Sequence, residues 1–398
     1  MLGAGQAGFT LATHLRKLSF SGDITLAGDE PYPPYQRPPL SKAYLCGGGA
    51  LEDAWLAHPE ALAAQGITLQ TGDAAVAIDT SAKTVTFRSK RVQRFDKLAL
   101  ALGARARVPP LPGADLMGVH SLRGIDDARA LSDALATAQR LVVIGGGYIG
   151  LEAAASVRKR GVEVTVLEAA PRILARSSSE PIARALAERH ARAGVEIRTG
   201  ATVAAILGAD RAEAVALASG DALPADQVLI GVGAAPRTQL AQTAGLAVEG
   251  GISVDARART SAPDIYAIGD CANFPSARYG TRLRLESVQN AIDQARALAA
   301  ELCGRAQDYD PLPWFWSDQY ELKLQIAGLS SFGDKSVIRA DDQGGLSVVW
   351  LRAGRLACVE AINRAHDFMT ARRLLSEPPV MAVDVLADVS RPLGDAVA

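Results

Sequence analysis

The sequence has little cysteine, almost no net charge and no long apolar run, and each shortage excludes a class of protein. Its four cysteines form no CxxC or CxxxxC pair, which argues against a metal site, a dithiol redox pair and a disulfide scaffold. A formal net charge of −1 argues against nucleic-acid binding through global charge. No stretch of about 18 uncharged apolar residues predicts a membrane span, and no signal-peptide pattern opens the chain. We therefore expect a cytoplasmic protein.

A length of 398 residues predicts two or three domains at ~150 residues each. One unit occurs twice, as a glycine-rich turn, a helix and a strand that ends in an acid. The first copy has glycines at 3, 5 and 8 and ends at Asp29, and the second has glycines at 145, 147 and 150 and ends at Glu168. After Pro313, alternating and aromatic segments predict a small antiparallel sheet with a closing helix near 367–375, and the tail from Glu377 has no clear pattern.

Both copies fit the fingerprint of a dinucleotide-binding fold. The first glycine permits the tight turn, the second lets the backbone approach a pyrophosphate, and the third lets the helix pack close to the strand. The helix N-terminus offers unpaired N–H groups to phosphate oxygens. The acid lies 21 residues after Gly8 in the first copy and 18 after Gly150 in the second, where it can accept from ribose hydroxyls. Glu168 would repel a 2′-phosphate and favours NADH over NADPH, although Arg172 and Arg176 follow it.

Several motifs together resemble a known family, the FAD-dependent ferredoxin reductases of oxygenase and cytochrome P450 systems. The similar segments, in family order, are 3–8, 38–45, 141–152, 260–272, 286–291 and 313–320. The resemblance implies an α/β fold with two Rossmann-like domains of the glutathione-reductase type and a small α+β C-terminal domain. It implies an FAD domain over 1–106 and 236–310, an NAD domain over 107–235 and a C-terminal domain over 311–398.

The resemblance also assigns site residues. The predicted FAD contacts are Gly3, Gly5, Ala7, Gly8, Asp29, Lys42, Ala75, Arg123, Asp270 and Val288. The predicted NADH contacts are Gly145, Gly147, Tyr148, Ile149, Gly150, Glu152, Glu168, Arg176, Gly233, Glu286 and Trp316. Asp270 also follows an apolar strand directly, which places its carboxylate at the sheet edge where α/β folds bind ligands. We expect Lys42 to lie near the flavin and to pair with Glu152, because a cation there favours the anionic reduced flavin.

The activity implied by the resemblance is electron transfer from NADH through FAD to a small [2Fe-2S] ferredoxin, which serves a P450 or a ring-hydroxylating oxygenase. No cysteine set for a cluster is present, so the ferredoxin would be a separate chain. Family ferredoxins are acidic, and Arg282, Arg284 and Arg296 are candidates for a receiving patch, with a plain solvated helix face as the alternative.

Two departures from the family pattern leave alternatives open. The first FAD strand is almost absent, since only Met1 and Leu2 precede Gly3, and retention of FAD would suffer if that strand were missing. Cys46 stands where a small residue is usual. An NADH oxidase or peroxidase that uses Cys46, or a flavin redox sensor similar to apoptosis-inducing factor, are therefore rival functions. A bystander role is the interpretation that we favour for Cys46.

Overall fold

The computed structural model describes residues 1–398 as nine α-helices and 25 β-strands. The helices are α1 (Gln6–Lys17), α2 (Pro59–Ala63), α3 (Ile125–Ala134), α4 (Tyr148–Arg158), α5 (Glu180–Arg192), α6 (Gln239–Thr243), α7 (Val288–Leu302), α8 (Ala365–Leu374) and α9 (Val383–Ala387). The strands are β1 (Ile24–Ala27), β2 (Ile67–Gln70), β3 (Ala75–Asp79), β4 (Thr84–Phe87), β5 (Val92–Arg94), β6 (Leu98–Leu100), β7 (Ala104–Ala106), β8 (Val119–His120), β9 (Arg140–Ile144), β10 (Glu163–Glu168), β11 (Val195–Thr199), β12 (Val203–Leu207), β13 (Ala214–Leu217), β14 (Ala222–Pro224), β15 (Gln227–Ile230), β16 (Ala234–Pro236), β17 (Ile252–Ser253), β18 (Ile265–Ala267), β19 (Ala272–Ser276), β20 (Thr281–Leu283), β21 (Trp314–Gln319), β22 (Leu322–Gly328), β23 (Lys335–Ala340), β24 (Leu346–Arg352) and β25 (Arg355–Ile362).

The chain folds into two compact units, each made of three chain segments. The first unit contains residues 1–36, 51–105 and 235–311. The second contains residues 37–50, 106–234 and 312–398. The predicted division into an NAD domain over 107–235 and a C-terminal domain over 311–398 remains a prediction, because residues 106–234 and 312–398 fall in one compact unit.

The first unit contains parallel strands that meet at Leu2. β1 pairs with β2, and β18 pairs with β6, in both cases in parallel. Leu2 forms parallel bridges to both Ala27 and Leu100, and the Leu2 N–H donates to the Ala99 carbonyl at 2.9 Å. Met1 and Leu2 therefore occupy the position between β1 and β6 that a longer first strand would fill. The strand that looked almost absent in the sequence is short but hydrogen-bonded on both sides.

Helix α1 forms because its apolar residues recur at helical spacing. Ala7, Leu11 and Leu15 are buried on one face, against Ile24 and Leu26 of β1 and against apolar residues of α7. The N-terminus of α1 is capped only by the Gly5 backbone, and its first turn carries no acid. This leaves free N–H groups at the end that follows the glycine turn.

The second unit holds the second nucleotide-type sheet. Its five parallel strands lie in the order β11-β10-β9-β15-β8. Residues 141–144 of β9 are all buried, as a parallel strand covered on both faces requires. α4, which follows β9, buries its residues from Gly150 to Val157 and begins immediately after Gly147.

The C-terminal segment of the second unit is an antiparallel sheet of five strands in the order β21-β22-β25-β24-β23. Helix α8 packs on it through Phe368 and Ala371, which join a core with Val349 and Val359. The sheet and its closing helix were predicted. The tail beyond Glu377 differs from the expectation, because it contains α9 and is tied to β23 by hydrogen bonds from Arg339.

Candidate active site and dinucleotide loops

The first glycine loop has no room for a side chain at two of its glycines and is open at the third. A Cβ at Gly3 would lie 2.1 Å from the Ala101 carbonyl oxygen, and one at Gly8 would lie 2.0 Å from that of Gly3, so neither position accepts a larger residue. A Cβ at Gly5 would have no heavy atom within 4 Å. The loop is thus closed towards the protein and open at Gly5, in front of the free N–H groups of α1. These residues fit the phosphates of FAD.

Two carboxylate side chains that are predicted to contact FAD follow strands of the same unit. Asp29 lies just after β1, where it accepts from the Arg237 guanidinium at 2.7 Å. Asp270 follows β18. The preceding Gly269 has φ +75°, and a Cβ on it would lie 3.2 Å from Cβ of Ala7 in the first turn of α1. The small side chain at Ala7 therefore allows the Gly269–Asp270 turn to approach the glycine loop.

The second glycine loop repeats this construction in the second unit. A Cβ at Gly145 would lie 2.5 Å from the Gly231 carbonyl oxygen, and one at Gly150 would lie 2.3 Å from that of Gly145. At Gly147 the nearest atom to such a Cβ is 3.9 Å away. α4 starts here without a side-chain cap or an acid in its first turn. A second dinucleotide phosphate therefore fits this loop.

Glu168 is the last residue of β10, and its side chain is hydrogen-bonded to the second glycine loop. Its Oε2 accepts from the Gly146 N–H at 2.7 Å and its Oε1 from the Ala170 N–H at 2.8 Å. The carboxylate thus fixes the glycine loop and the start of the following loop. Tyr148 is held by that following loop, because its hydroxyl lies 2.9 Å from the Ser178 Oγ. Burial raises the pKa of Tyr148 to about 12.

Lys42 and Glu152 form the ion pair that the sequence led us to expect. Both residues belong to the second unit, and Lys42 Nζ lies 3.3 Å from Glu152 Oε1. Lys42 follows the 3-10 turn Pro38–Ser41, which is held to α4 because Ser156 Oγ donates to the Ser41 carbonyl at 2.8 Å. A second carboxylate, Asp318 of β21, lies 3.4 Å from the same ammonium. The lysine therefore has one buried and one half-exposed anionic partner.

Glu152 is 5% exposed and is surrounded by donors. Ser41 Oγ donates to Oε2 at 2.7 Å, and Ser317 Oγ donates to Oε1 at 2.6 Å. Burial raises the pKa of Glu152 above its usual value, whereas the Lys42 charge and the two serine hydroxyls oppose that rise. The carboxyl is thus a titratable group whose charge depends on its immediate partners.

The other predicted contacts are divided between the units. Ala75, Glu286 and Val288 lie in the first unit, at the start of β3 and around the start of α7. Arg123, Arg176, Gly233 and Trp316 lie in the second unit. Ile149 is exposed by 45% in the first turn of α4, an unusual position for a large apolar side chain. Their roles toward the cofactors remain predictions.

The three arginines of the predicted patch differ in their contacts. Arg282 donates to the carbonyl groups of Val254 and Asn273, and Arg284 donates to Glu286. Arg296 is 58% exposed and has only a long contact of 3.7 Å with Asp293. Of the three, Arg296 is therefore the side chain that can turn to a partner at least cost.

Sequence reasoning missed the polar residues that support the ion pair. Ser41, Ser317, Asp318 and Gln319 were not singled out, although the signal was present in β21. Alternation along this strand points Ser317 and Gln319 inward, where apolar residues are the rule, and both are buried. A buried polar pair in an otherwise aromatic strand indicates hydrogen-bonding partners.

Two further findings concern groups outside the dinucleotide loops. No helix is long and apolar enough to cross a membrane, and no cluster of three or more His, Cys, Asp or Glu is placed to hold a metal ion. Cys46 is half-buried, and its N–H donates to the Lys42 carbonyl at 3.0 Å.

The two glycine loops and their sheets define a class of protein, the oxidoreductases that bind two dinucleotides. Residues 1–295 match the family described as pyridine nucleotide-disulphide oxidoreductase, and residues 314–397 match the family described as reductase C-terminal. The chain belongs to the pyridine nucleotide-disulphide oxidoreductase family. The predicted fold class and the predicted use of FAD and a nicotinamide nucleotide are thereby confirmed.

Individual relatives agree over the full length of the chain. Rhodocoxin reductase of Rhodococcus erythropolis is 45% identical, over 100% of this chain and 94% of the relative. The ferredoxin reductase for the CYP199A2 system of Rhodopseudomonas palustris is 42% identical, with a TM-score of 0.95 over 100% of this chain and 99% of that one. Putidaredoxin reductase in its covalent complex with putidaredoxin is 39% identical, with a TM-score of 0.95 over 100% and 97% of the two chains. The predicted resemblance to ferredoxin reductases of oxygenase systems is confirmed.

Proposed function

We propose that this chain is an NADH-dependent ferredoxin reductase. It carries electrons from NADH through FAD to a small [2Fe-2S] ferredoxin that serves a cytochrome P450 or a ring-hydroxylating oxygenase in the cytoplasm. The observation that supports this function is the end-to-end similarity to ferredoxin reductases, which includes the C-terminal segment with β21. That strand contributes Ser317 and Asp318 to the Lys42–Glu152 pair.

Each glycine loop has its own dinucleotide in this proposal. The loop at Gly3–Gly8, with Asp29 and Asp270, binds FAD, and the loop at Gly145–Gly150, with Glu168, binds NADH. Helix N-termini hold the phosphates, and the carboxylates accept from ribose or ribityl hydroxyls. Bound FAD would accept two electrons from NADH and pass them on one at a time.

Lys42 and Glu152 are the charged groups that we assign to the reaction. Lys42 provides a cation held between two carboxylates, and a fixed cation stabilises the negative charge that reduction adds to a cofactor. Glu152 keeps that cation in place, and the cation in turn stabilises the buried carboxylate, because a buried charge is stable only while its partner is present. Ser41 and Ser317 hold the carboxylate by donating to its two oxygens.

The direct test measures reduction of cytochrome c by NADH with the FAD-loaded chain, with and without a [2Fe-2S] ferredoxin. We expect rapid reduction that requires the ferredoxin and is faster with NADH than with NADPH. A rate that does not depend on the ferredoxin would contradict the proposal. A fast turnover of peroxide or oxygen would favour the oxidase or peroxidase alternative.

The Cys46→Ser variant separates the two enzyme classes. Cys46 lies four residues beyond Lys42 and has no part in the hydrogen bonds around Glu152. We therefore expect ferredoxin-dependent turnover within about twofold of the wild-type rate. A loss of about 100-fold, which is ~2.7 kcal/mol of barrier, would give the thiol a chemical role instead. Cys303→Ser, at another half-buried thiol, is the matched control.

A further inference from the structure

A line of buried polar side chains leads from Glu152 to a histidine on α5. Ser317 Oγ lies 3.2 Å from Gln319 Nε2, and Gln319 Oε1 lies 2.9 Å from His190 Nε2. His190 and Ser317 are 0% exposed and Gln319 is 1% exposed. All three belong to the second unit, as do Glu152 and Lys42.

The direction of each hydrogen bond is fixed by the charge of Glu152. An ionised carboxylate only accepts, so the Ser317 hydroxyl must donate to it. The Ser317 oxygen then accepts from the Gln319 amide N–H, which turns the amide oxygen towards His190. His190 must therefore carry its proton on Nε2. Every donor in the line points towards Glu152.

The opposite direction is disfavoured at the histidine. A Glu152 that carries its proton on Oε1 would donate it to Ser317, the Gln319 amide would turn over, and the His190 proton would move to Nδ1. That atom is buried and has no hydrogen-bond partner, so an N–H there would be unsatisfied. A bare nitrogen lone pair at the same position is less unfavourable than an unpaired donor.

We propose that His190, Gln319 and Ser317 are positioning residues that hold Glu152 ionised. The inference extends the function proposed above, since it concerns the carboxylate that fixes Lys42. Burial disfavours the ionised form of the Glu152 carboxylate, and the line of hydrogen-bond donors stabilises that form. The other charged and titratable groups nearby are Lys42 and Asp318 beside Glu152, and Arg189 and Tyr320 beside His190.

The state of His190 supports a directional line. Burial and the neighbouring Arg189 charge lower the pKa of His190, so the ring is neutral and has one N–H to place. The Tyr320 ring packs edge-on against it, with ring centroids 5.1 Å apart. The only hydrogen bond of the ring is the one between Nε2 and Gln319, so the choice of tautomer is transmitted through that amide.

The test titrates Glu152 directly in the FAD-loaded, oxidised enzyme. Infrared difference spectra follow the protonated carboxyl band, identified by its absence in Glu152→Gln. We expect Gln319→Met and Ser317→Ala to move the midpoint of this band upward by about half to one pH unit. Ser317→Ala removes a donor to the carboxylate, and Gln319→Met removes the donor that orients the Ser317 hydroxyl towards it. Ser317→Ala deletes a single hydroxyl, and it provides a second route if Gln319→Met does not fold.

The chain contains matched controls for both variants. Gln227 is 4% exposed and pairs with His120 at 2.9 Å, the same residue types at the same distance but away from Glu152. Ser347 is 0% exposed and donates to Asp367 at 2.9 Å. Gln227→Met and Ser347→Ala should leave the midpoint unchanged. In ¹⁵N-histidine spectra of the five histidines, the signal lost in His190→Phe should have the pattern of an Nε2–H tautomer.

The outcomes separate this proposal from the proposed function. Equal midpoints in the wild type and in Gln319→Met and Ser317→Ala, or an Nδ1–H tautomer of His190, would overturn the proposal that this line holds Glu152 ionised. A shifted midpoint should be accompanied by an equal shift in the pH profile of flavin reduction by NADH. If the midpoint moves and the rate profile does not, the line still holds Glu152 ionised, but Glu152 has no role in flavin reduction.

Discussion

Replacement of Lys42 tests whether this lysine acts in flavin reduction or is an ordinary surface residue. Its ammonium is 3.3 Å from a buried carboxylate and 3.4 Å from a half-exposed one, and its side chain is 21% exposed. If it stabilises charge during reduction, Lys42→Ala should slow flavin reduction by NADH by a barrier of about 2–4 kcal/mol. Stopped-flow absorbance measures this rate after the FAD content has been checked.

The control for this prediction is Lys97→Ala. Lys97 also pairs with an aspartate, Asp264 at 3.1 Å, but it lies in the first unit and is half-exposed. Its removal should change the rate by no more than ~0.5 kcal/mol. If Lys42→Ala is as mild as Lys97→Ala, Lys42 is not part of the reaction site.

Glu168 should determine the choice between NADH and NADPH. A carboxylate at the end of β10 repels a 2′-phosphate, so kcat/KM should be higher for NADH. Glu168→Ala should narrow that preference. It should also raise KM for both nucleotides, because the N–H groups of Gly146 and Ala170 lose their acceptor and the glycine loop loosens.

Glu168→Gln provides the control for loop order. Glutamine keeps the size of the side chain, but its NH2 group replaces one of the two carboxylate oxygens that accept from these N–H groups. We expect an intermediate KM and a reduced repulsion of NADPH. Equal kcat/KM values for the two nucleotides in the wild-type enzyme would contradict the assignment of Glu168 to the ribose.

At the scale of elements, the buried Arg339 of β23 should hold the C-terminal tail. Its side chain is 0% exposed and donates to the carbonyls of Leu386 and Arg391, with its Nε 3.5 Å from Asp367. Arg339→Met should lower the free energy of unfolding by about 3 kcal/mol or more, because it leaves those buried acceptors without donors. Urea unfolding followed by tryptophan fluorescence measures the change.

Arg352→Met on the neighbouring strand β24 is the comparison. Arg352 is exposed and its guanidinium lies 5.9 Å from the Phe332 ring centroid. This substitution should change the free energy of unfolding by no more than ~0.5 kcal/mol. A similar small change for Arg339→Met would mean that the tail is held by its apolar contacts alone.

The elements that sequence predicted well are those whose signal is local. α1 and α4 follow from glycine turns and apolar spacing, and β9 follows from a continuous apolar run. The short Met1–Leu2 bridge and α9 depend on backbone partners far along the chain, which periodicity does not contain. The line from Glu152 to His190 could not be predicted for the same reason, because the partners of Ser317 and Gln319 are known only once β21 is placed beside Glu152 and His190.

For the whole molecule, recognition of an acidic ferredoxin must come from local charge, because the net charge is only −1. Arg296 on α7 is the arginine of the predicted patch with the weakest internal contact, and its side chain is exposed. Rim charges act mainly on the rate of encounter. Arg296 is therefore expected to affect the reaction with the ferredoxin and not the reaction with NADH.

Arg296→Glu tests this expectation with two electron acceptors. The KM for an acidic [2Fe-2S] ferredoxin should rise severalfold at low salt, and the difference from wild type should shrink as salt screens the charges. Reduction of ferricyanide by NADH should be unchanged, because it needs no docking. Arg88→Glu makes the same charge change at an exposed arginine beyond β4 and should leave both reactions intact. If Arg88→Glu raises the ferredoxin KM as much as Arg296→Glu does, global charge and not a patch on α7 governs the encounter.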